Sequence, residues 1–449
     1  MIAKVLVLLQ EKKYALVKQA VLEMNAVDIA EVFAELHELE APQTALRLFR
    51  LMPKELAAET FSYMESDVQQ SIIEAISDNE LRFILDDMYM DDYVDLIEEM
   101  PANVVKRLLA NSSDENRKLI NEYLQYPEDS AGSIMTNEYV YLKQTLTVNQ
   151  ALAVIRANGV DKETINKCYV LDDQHHLDGV VSLRDLILAD PHARVGDIMR
   201  TNVISVNTND DQEEVAKMFS KYDMLSMPVV DRENRLVGII TIDDVVDVVQ
   251  DEATEDFEKM AGIVPSEDTY LKTPVFTIFR SRIMWLMVLM VSAMVSGALI
   301  THFEGAISTL PILVSFIPML MGTGGNSGSQ TSTTVIRSMA LDEIELSDFF
   351  RVWWKEVRVA LLCGTALAIV NYIRIVLQYH DWAVAMTVSL TLIVTVLVAK
   401  SLGCILPMLA KKLKLDPALM ASPMLTTITD ACSILVFFIF VMAILGGRL

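Results

Sequence analysis

Five long apolar stretches in the C-terminal part of the chain constrain its fold more than any other feature of the sequence. They cover residues 283–301, 311–335, 357–378, 383–410 and 418–445. Each is close to or above the ~20 residues that a helix needs to cross ~30 Å of hydrocarbon. A large soluble protein with buried helices is the disfavoured alternative. We therefore expect a transmembrane domain of five helices over residues 273–449.

The charge distribution divides the chain into two unlike parts. The 449 residues carry a formal net charge of −24, yet 52% of them are hydrophobic. Residues 1–270 carry a net charge of −28, and residues 271–449 carry +4. An acidic soluble part joined to an apolar part excludes a single globular enzyme domain, and the acidic balance argues against nucleic-acid binding. The four cysteines show no C-x-x-C spacing, which argues against a structural zinc site.

The basic residues of the apolar part predict its orientation. They cluster before the first stretch, between the second and third, and between the fourth and fifth. The positive-inside rule places all three clusters in the cytoplasm. We expect cytoplasmic N-terminal domains, a multi-pass protein of the cytoplasmic membrane, and an outside C-terminus. The clusters are Lys272, Arg280 and Arg282; Arg337, Arg351, Lys355 and Arg358; and Lys411, Lys412 and Lys414.

Residues 1–130 predict an acidic helical domain with a repeat. An apolar residue that closes each apolar stretch recurs every twelve positions, and helix-start signals follow it. Ser77 and Glu80, for example, have the spacing of a capping box. Twelve residues accommodate one short helix and a turn, and stacked units form a superhelical solenoid; a non-repetitive bundle is the alternative. The recurring residues are Met52, Met64, Ile76, Met88 and Met100.

Residues 131–250 change to an α/β pattern that occurs twice. Each copy has an Ile-Met pair near its start and a later strand that ends in Ser or Thr, with Asp three residues on. This pattern resembles tandem CBS domains, with copies over 131–200 and 201–250. The resemblance implies adenine nucleotide binding by Ser182 with Asp185, and more weakly by Thr241 with Asp244. Ordinary helix capping is the alternative for both pairs.

A single acid, Asp430, lies deep inside the fifth apolar stretch. A charged carboxylate at such a depth costs at least ~2.5 kcal/mol, so it is typical of an ion path. The alternative is an Asp paired with a neighbouring base, and Arg374 is the base taken to lie well inside an apolar stretch. Arg374 is expected near the outer face. We therefore expect Asp430 to contact a transported cation.

The second apolar stretch contains the polar segment 322–334, which is rich in Gly, Ser and Thr. Asn326 and Gln330 are four residues apart and share one helix face, where their amides can bind the water shell of an ion. Together with Thr427 they are the candidate pore-lining residues. A polar packing seam is the alternative. Pro318, one turn upstream, is expected to kink this helix.

The residue types favour a hard divalent cation. Two-fold symmetry would place two copies of Asp430 on one axis, matching one divalent charge. Oxygen ligands without a His or thiolate cluster favour Mg²⁺ or Ca²⁺, and a hydrated site suits Mg²⁺; residue types alone do not separate Mg²⁺ from Mn²⁺. Asp416, before the fifth stretch, either attracts cations or caps the helix.

Acid density is the remaining signal. Residues 51–100 contain 14 acids and two bases, and residues 243–272 read as an acidic linker helix. Its acids at 244, 247, 251, 255 and 258 form one stripe. Packing that stripe near Asp91 and Asp95 is unfavourable unless cations intervene. This predicts a cation sensor; a solvated acidic face is the alternative.

The order of these segments resembles the MgtE family of magnesium channels over essentially the whole chain. The most specific segments are residues 324–330, Asp416-Pro417-Ala418 and residues 253–256. The resemblance implies a homodimer with a central pore, a "plug" helix over 243–272, and no enzymatic activity. It departs at Ser422-Pro423, where some relatives carry Asn before the proline, and the Ser422 hydroxyl reaches less far than an amide.

The resemblance further implies Mg²⁺ uptake that cytoplasmic Mg²⁺ shuts off. It makes Asp430 the pore ligand and assigns sensor sites to three acidic surfaces. Two other functions stay open: a broader Mn²⁺ or Co²⁺ carrier, and a CBS-containing membrane sensor that does not conduct. The implied sensor ligands are Glu59, Asp91 and Asp95 in the helical domain; Glu213, Asp223, Asp244 and Asp247 in the second CBS copy; and Glu252, Glu255 and Asp256 on the linker helix, with Asp416 at the mouth.

Overall fold

The computed structural model describes residues 1–160, 162–265, 270–271, 273–420 and 422–448. The chain forms two compact units, Met1–Val249 and Gln250–Leu449. Lys272 of the first basic cluster lies outside the described residues, as does the side chain of Ser422.

The first unit begins with short helices. From α5 onward each helix starts twelve residues after the previous one, because an apolar residue closes each helix and a turn follows. The twelve-residue repeat is therefore confirmed. The helices are α1 (Ile2–Gln10), α2 (Tyr14–Val21), α3 (Ala26–Glu38), α4 (Pro42–Leu51), α5 (Lys54–Ser62), α6 (Ser66–Ala75), α7 (Asp78–Asp87), α8 (Met90–Glu99), α9 (Ala102–Asn111) and α10 (Asp114–Tyr123).

Capping and packing explain this superhelical array. The Ser77 hydroxyl accepts from the Glu80 N–H, and the Glu80 carboxylate accepts from the Ser77 N–H, as the capping box predicts. The closing residues Met52, Met64 and Met100 are buried in a core shared by successive helices. The same core continues into the CBS part through Met135 of the first copy and Val229 of the second.

The α/β part repeats one topology twice. In each copy a parallel strand pair is followed by an antiparallel pair, so the sheet orders are β1-β2-β3 and β4-β5-β6. The elements are β1 (Tyr139–Leu142), α11 (Val148–Asn158), β2 (Thr164–Leu171), β3 (Leu177–Ser182), α12 (Leu183–Leu188), α13 (Val195–Ile198), β4 (Val206–Asn207), α14 (Gln212–Tyr222), β5 (Ser226–Val230), β6 (Leu236–Thr241) and α15 (Ile242–Met260).

The start of the first copy pairs with the second copy. Thr136 of the first copy bridges to Ile239 of the second, and Arg200, at the boundary between the copies, bridges to Val180 of the first. A Cβ atom on Gly238 would lie 2.8 Å from the Thr136 carbonyl oxygen, too close for any other residue type without a backbone shift. The repeated Met and Gly motifs therefore hold the copies together.

Long helices form the second unit. Leu313, Phe316 and Val388 belong to its main core. Several helices extend past the apolar stretches that predict them, because polar flanking residues continue the helix. The helices are α16 (Val275–His302), α17 (Glu304–Thr309), α18 (Ile317–Ala340), α19 (Phe349–Tyr379), α20 (Trp382–Lys412) and α21 (Ser422–Leu445), and 3₁₀ segments cover Pro311–Phe316, Leu346–Asp348, Pro417–Met420 and Gly446–Arg448.

Among the described residues, four segments are long and apolar enough to cross a membrane, and they contain α16, α19, α20 and α21. The other long helix of this unit, α18, carries the polar segment. Pro318 stands in the first turn of α18, so the expected kink is wrong: the proline starts the helix. The linker helix α15 ends at Met260, and Gly262 follows with a φ of +70°.

Candidate functional site: an ion path and an acidic cluster

The polar segment of α18 has two distinct faces. Gly324, Gly328 and Thr331 are buried, whereas Asn326 and Gln330 are exposed in the single chain. The exposed residues recur at helical spacing, so the amides that the sequence singles out share one accessible stripe. In a helix with apolar neighbours, this stripe requires water, an ion or another polar surface in front of it.

Asp430 lies on α21, next to the segment that touches α18. Gly324 faces Ser433 and Gly325 faces Thr426, so Asp430 is level with this pair of glycines. The Asp430 carboxylate is partly exposed and has no hydrogen-bond or ion-pair partner among the described residues. The Thr427 hydroxyl donates to the Pro423 carbonyl oxygen at 3.1 Å, so the hydroxyl proton is already used in a hydrogen bond within its own helix.

The position of Asp430 along its helix differs from the expected one. Because residues Pro417–Met420 form a separate 3₁₀ segment, α21 begins at Ser422. Asp430 is therefore ~12 Å along the helix from its start and ~22 Å from its end. It lies nearer the start of α21 than its end, although it is close to the middle of the apolar stretch 418–445.

Arg374 was expected to be the base inside an apolar stretch, and this expectation is wrong because Lys400 also lies inside one. Lys400 lies within α20 and is only 6% exposed. Its ammonium group is 3.7 Å from the Glu356 carboxylate of α19, and it donates to the Thr331 hydroxyl at 3.0 Å. A lysine embedded between Ala399 and Ser401 is visible in the sequence, but its partners lie 44 and 69 positions away.

A second group of residues forms an acidic cluster in the first unit, which we define as Asp91, Asp92, Asp95, Glu163, Asp243 and Asp244. None of these carboxylates forms an ion pair with a base in the described part of the chain. Sequence reasoning missed Glu163 and Asp92. Glu163 lies far from the dense acidic stretches, although its position just before a CBS strand is readable from the repeat.

Burial first, and neighbouring carboxylates second, raise the pKa values of this cluster. Partial dehydration and neighbouring carboxylates raise the pKa of Asp95 to about 7 and that of Glu163 to about 7. They raise the pKa of Asp244 to about 6, although the Thr241 hydroxyl donates to that carboxylate at 2.7 Å. Burial and Asp244 raise the pKa of Asp91 well above its usual range. Because Asp95 keeps an accessible face, dissolved cations can reach the cluster.

The remaining sensor candidates lie in different surroundings. Glu59 lines a surface cavity of about 490 Å³ with Asp28 and Tyr63. Glu213 pairs with Lys217 at 3.1 Å, and Asp223 ends α14 with a φ of +51°. Asp247, Glu252 and Asp256 lie along α15. No group of three or more His, Cys, Asp or Glu side chains within the described ranges is arranged to hold a metal ion directly.

Two of the candidate metal ligands share a lysine. The Lys259 ammonium group is 2.5 Å from Glu255 and 2.9 Å from Asp416. Asp416 also accepts from the Ala418 N–H at 2.8 Å, so it caps the 3₁₀ segment Pro417–Met420 that precedes α21 rather than α21 itself. The pKa of Lys259 is raised by both carboxylates, which outweigh its partial burial. This cation already balances much of the charge of the pair.

The two nucleotide candidates differ from each other. Ser182 caps α12 by accepting from the Asp185 N–H at 3.0 Å, and the Asp185 carboxylate has no partner among the described residues. In the second copy, Thr241 is hydrogen-bonded to Asp244. The first copy therefore leaves its carboxylate available for a ligand, and the second does not.

The chain has an acidic helical domain, tandem CBS domains and then an apolar helical part that contains an acid. This combination is typical of the class of ion-transporting membrane proteins. Family models agree with this class. The divalent cation transporter model matches residues 317–440, the MgtE intracellular N domain matches 24–129, and CBS domains match 131–192 and 195–251.

Full-length relatives identify the family. The magnesium transporter MgtE of Thermus thermophilus is 34% identical over 445 residues, covering 96% of this chain and 98% of the relative. MgtE of Bacillus subtilis is 32% identical over 98% of this chain and 96% of its own length. The crystal structure of the cytosolic domain of the Mg²⁺ channel MgtE in complex with ATP is 36% identical, with a TM-score of 0.52, covering 55% of this chain and all of that one.

The chain belongs to the MgtE family of magnesium transporters. It is a multi-pass membrane protein with a cytoplasmic N-terminal domain, and it transports Mg²⁺. The expected fold class is confirmed, and so is its non-enzymatic class, because the relatives are transporters. A Mn²⁺ or Co²⁺ carrier and a non-conducting sensor are not favoured.

Proposed function

We propose that Mg²⁺ crosses the membrane along the exposed face of α18, past Asp430. The observation that carries this proposal is the unpaired Asp430 carboxylate, level with a helix whose accessible stripe contains the amides of Asn326 and Gln330. Asn326 and Gln330 bind the water shell of the ion, and Asp430 supplies charge. Mg²⁺ keeps several waters in such a site, since it dehydrates reluctantly.

The proposed path is completed by a second copy of the chain. The stripe of α18 is exposed in one chain, and α16 exposes Met284, Met287 and Val291. A two-fold axis beside α18 would bring two Asp430 carboxylates towards one divalent ion. We therefore include a homodimer in the proposal, with lipid around the apolar helices and the C-terminus outside.

Replacing Asp430 by Asn tests the path. Mg²⁺ flux into proteoliposomes is expected to fall at least about 100-fold, since a divalent cation gains several kcal/mol from a carboxylate about 5 Å away at a dielectric constant of about 20. Asp342→Asn is the matched control, because Asp342 is an exposed loop residue whose positive φ an Asn tolerates. Undiminished flux through Asp430→Asn in a folded protein would refute the proposal.

We further propose that cytoplasmic Mg²⁺ binds the acidic cluster and reduces transport. The cluster supports this, because burial and mutual repulsion raise the pKa values of its carboxylates and no ion-paired base among the described residues compensates them. Hydrated Mg²⁺ suits a cluster that lacks a compact set of direct ligands. We assign the binding to Asp91, Asp95 and Asp244, with Glu163 as an added member.

The first CBS copy is the proposed site of an adenine nucleotide. A structural relative was solved with ATP, and Asp185 is free to accept from ribose hydroxyls. Asp185→Ala should abolish ATP binding in equilibrium dialysis, whereas Asp178→Ala, a surface acid outside the motif, should retain it. Retained ATP affinity in Asp185→Ala would exclude this site.

A further inference from the structure

Helices α18, α19 and α20 of the second unit meet at a buried polar chain, which we call the Lys400 network: Lys400, Thr331 and Glu356. Lys400 donates to the Thr331 hydroxyl oxygen at 3.0 Å, and the Thr331 hydroxyl donates to the Glu356 carboxylate at 2.8 Å. Thr331 is 2% exposed, and the side chains of Lys400 and Glu356 are 8% and 17% exposed. The Thr331 hydroxyl therefore accepts from Lys400 and donates to Glu356.

The network is costly unless its partners stay together. Charged side chains inside a membrane pair with one another or face water. Separating Lys400 from Thr331 and Glu356 would leave two charges with incomplete partners in a low-dielectric setting. The network therefore restrains α18, α19 and α20 more strongly than apolar contacts between them would.

A close backbone contact lies beside the network. A Cβ atom on Gly403 of α20 would collide with the Gly328 carbonyl oxygen and lie 3.2 Å from the Ser332 amide nitrogen, both on α18. Small residues permit such approach between membrane helices. The glycine contact fixes the distance between α18 and α20, and the hydrogen bond to Thr331 fixes the rotation of α18 about its axis.

That rotation decides where the polar stripe points. Thr331 follows Gln330 directly, and one residue corresponds to about 100° of turn. Holding Thr331 against Lys400 keeps Asn326 and Gln330 on the accessible side, whereas Ser327 stays buried. A rotation of a fraction of a turn would exchange these faces.

We propose that Lys400 is a positioning residue for Mg²⁺ transport, acting through Thr331 and Glu356 to aim the amide stripe of α18 into the ion path. Lys400 does not contact the ion in this assignment. The inference rests on the proposed path along α18, and its test separates the two.

The test measures thiol reactivity in proteoliposomes, in a chain whose four native cysteines are replaced by alanine. Cysteine is placed singly at Asn326, Gln330 or Ser327 and is treated with a charged methanethiosulfonate reagent. With Thr331 intact, the first two should react and the third should not. In Thr331→Val, reactivity should shift towards position 327, and Mg²⁺ flux should fall about tenfold, the effect of losing a hydrogen bond to a charged group.

Thr331→Ser is the matched control, because it keeps the hydroxyl. Its reactivity pattern and flux should stay within about twofold of the parent. Lys400→Met should reproduce the shift seen in Thr331→Val. If Thr331→Val does not fold, Glu356→Asp provides the same test by shortening the carboxylate and keeping its charge.

Two results would overturn the inference while leaving the path intact. One is an unchanged reactivity pattern in Thr331→Val and Lys400→Met. The other is altered cation selectivity in Lys400→Met with an unchanged pattern, which would mean that the lysine charge acts on the ion directly. Unreactive cysteines at both 326 and 330 in the parent would overturn the path and this inference together.

Discussion

Single carboxylates in this protein are controlled by what surrounds them. Asp430 lacks a partner within the described chain, Asp416 has a lysine and a backbone N–H, and the acidic cluster has no ion-paired base among the described residues. The same residue type is therefore proposed as an ion ligand in one place and accepts a backbone N–H of a 3₁₀ segment in another. Neighbouring charges, rather than acid density, make this distinction.

The acidic cluster predicts a pH dependence of stability without Mg²⁺. Its raised pKa values mean that the folded protein holds protons that the unfolded chain releases from about pH 4 upward, so stability falls as pH rises towards 7. Calorimetry of the full chain in EDTA should show the transition of the soluble unit about 2–4 °C lower at pH 8 than at pH 5.5, after allowing for screening. Added Mg²⁺ should remove this difference in transition temperature. An equal decrease from pH 5.5 to pH 8 in the double variant Asp95→Asn/Glu163→Gln would contradict the assignment to the acidic cluster.

Much at the residue scale was readable from sequence. Asp430, Asn326 and Gln330 stand out because polar side chains are rare in apolar stretches. The partners of Lys400 and the membership of Glu163 were not readable, because both depend on contacts between segments far apart in the chain. Lys259 was missed for the same reason, since Asp416 lies 157 positions away.

At the scale of elements, the capping residues in the sequence predicted where the repeated helices begin. Ser77→Ala removes the capping box of α7 and should destabilise the soluble unit by ~1 kcal/mol. Ser66→Ala is the matched control, because Ser66 opens α6 without capping it and should change stability little. Calorimetric transitions that move equally for both variants would disprove the role of the cap.

The end of α15 makes a further prediction. The Lys259 ammonium group supplies the positive charge that joins Glu255 to Asp416, so we expect this contact not to need a bound cation and to form at low Mg²⁺. In Lys259→Gln the two carboxylates repel, and the cytoplasmic Mg²⁺ concentration for half-inhibition should rise about threefold or more. Lys143→Gln, which breaks an exposed pair with Asp173, should leave that concentration unchanged. An unchanged value in Lys259→Gln would show that the contact plays no part in control.

Element boundaries were predicted less well. Helices α16 and α19 begin before the apolar stretches, because hydropathy marks the hydrocarbon boundary and helical hydrogen bonding continues beyond it. Helix α21 begins later than its stretch, because Asp416 and Pro417 direct a separate 3₁₀ turn. Pro318 was expected inside a helix and instead starts one.

For the whole molecule, the exposed stripe of α18 and the apolar surface of α16 predict a dimer. Light scattering with detergent subtraction should give a protein mass twice the 50.3 kDa of one chain. The dimer should also form a disulfide across the two-fold axis from a single cysteine at Asn326 or Gln330. A monomeric mass with full Mg²⁺ flux would contradict the shared path.

Currents through single proteins in liposomes test the central claim most directly. Cytoplasmic-side Mg²⁺ is stepped from about 0.01 to about 10 mM, a range that spans weak hydrated divalent sites. The account predicts Mg²⁺ currents at the low concentration, their closure at the high one, and no current from Asp430→Asn at either. Currents of normal size through Asp430→Asn would contradict it.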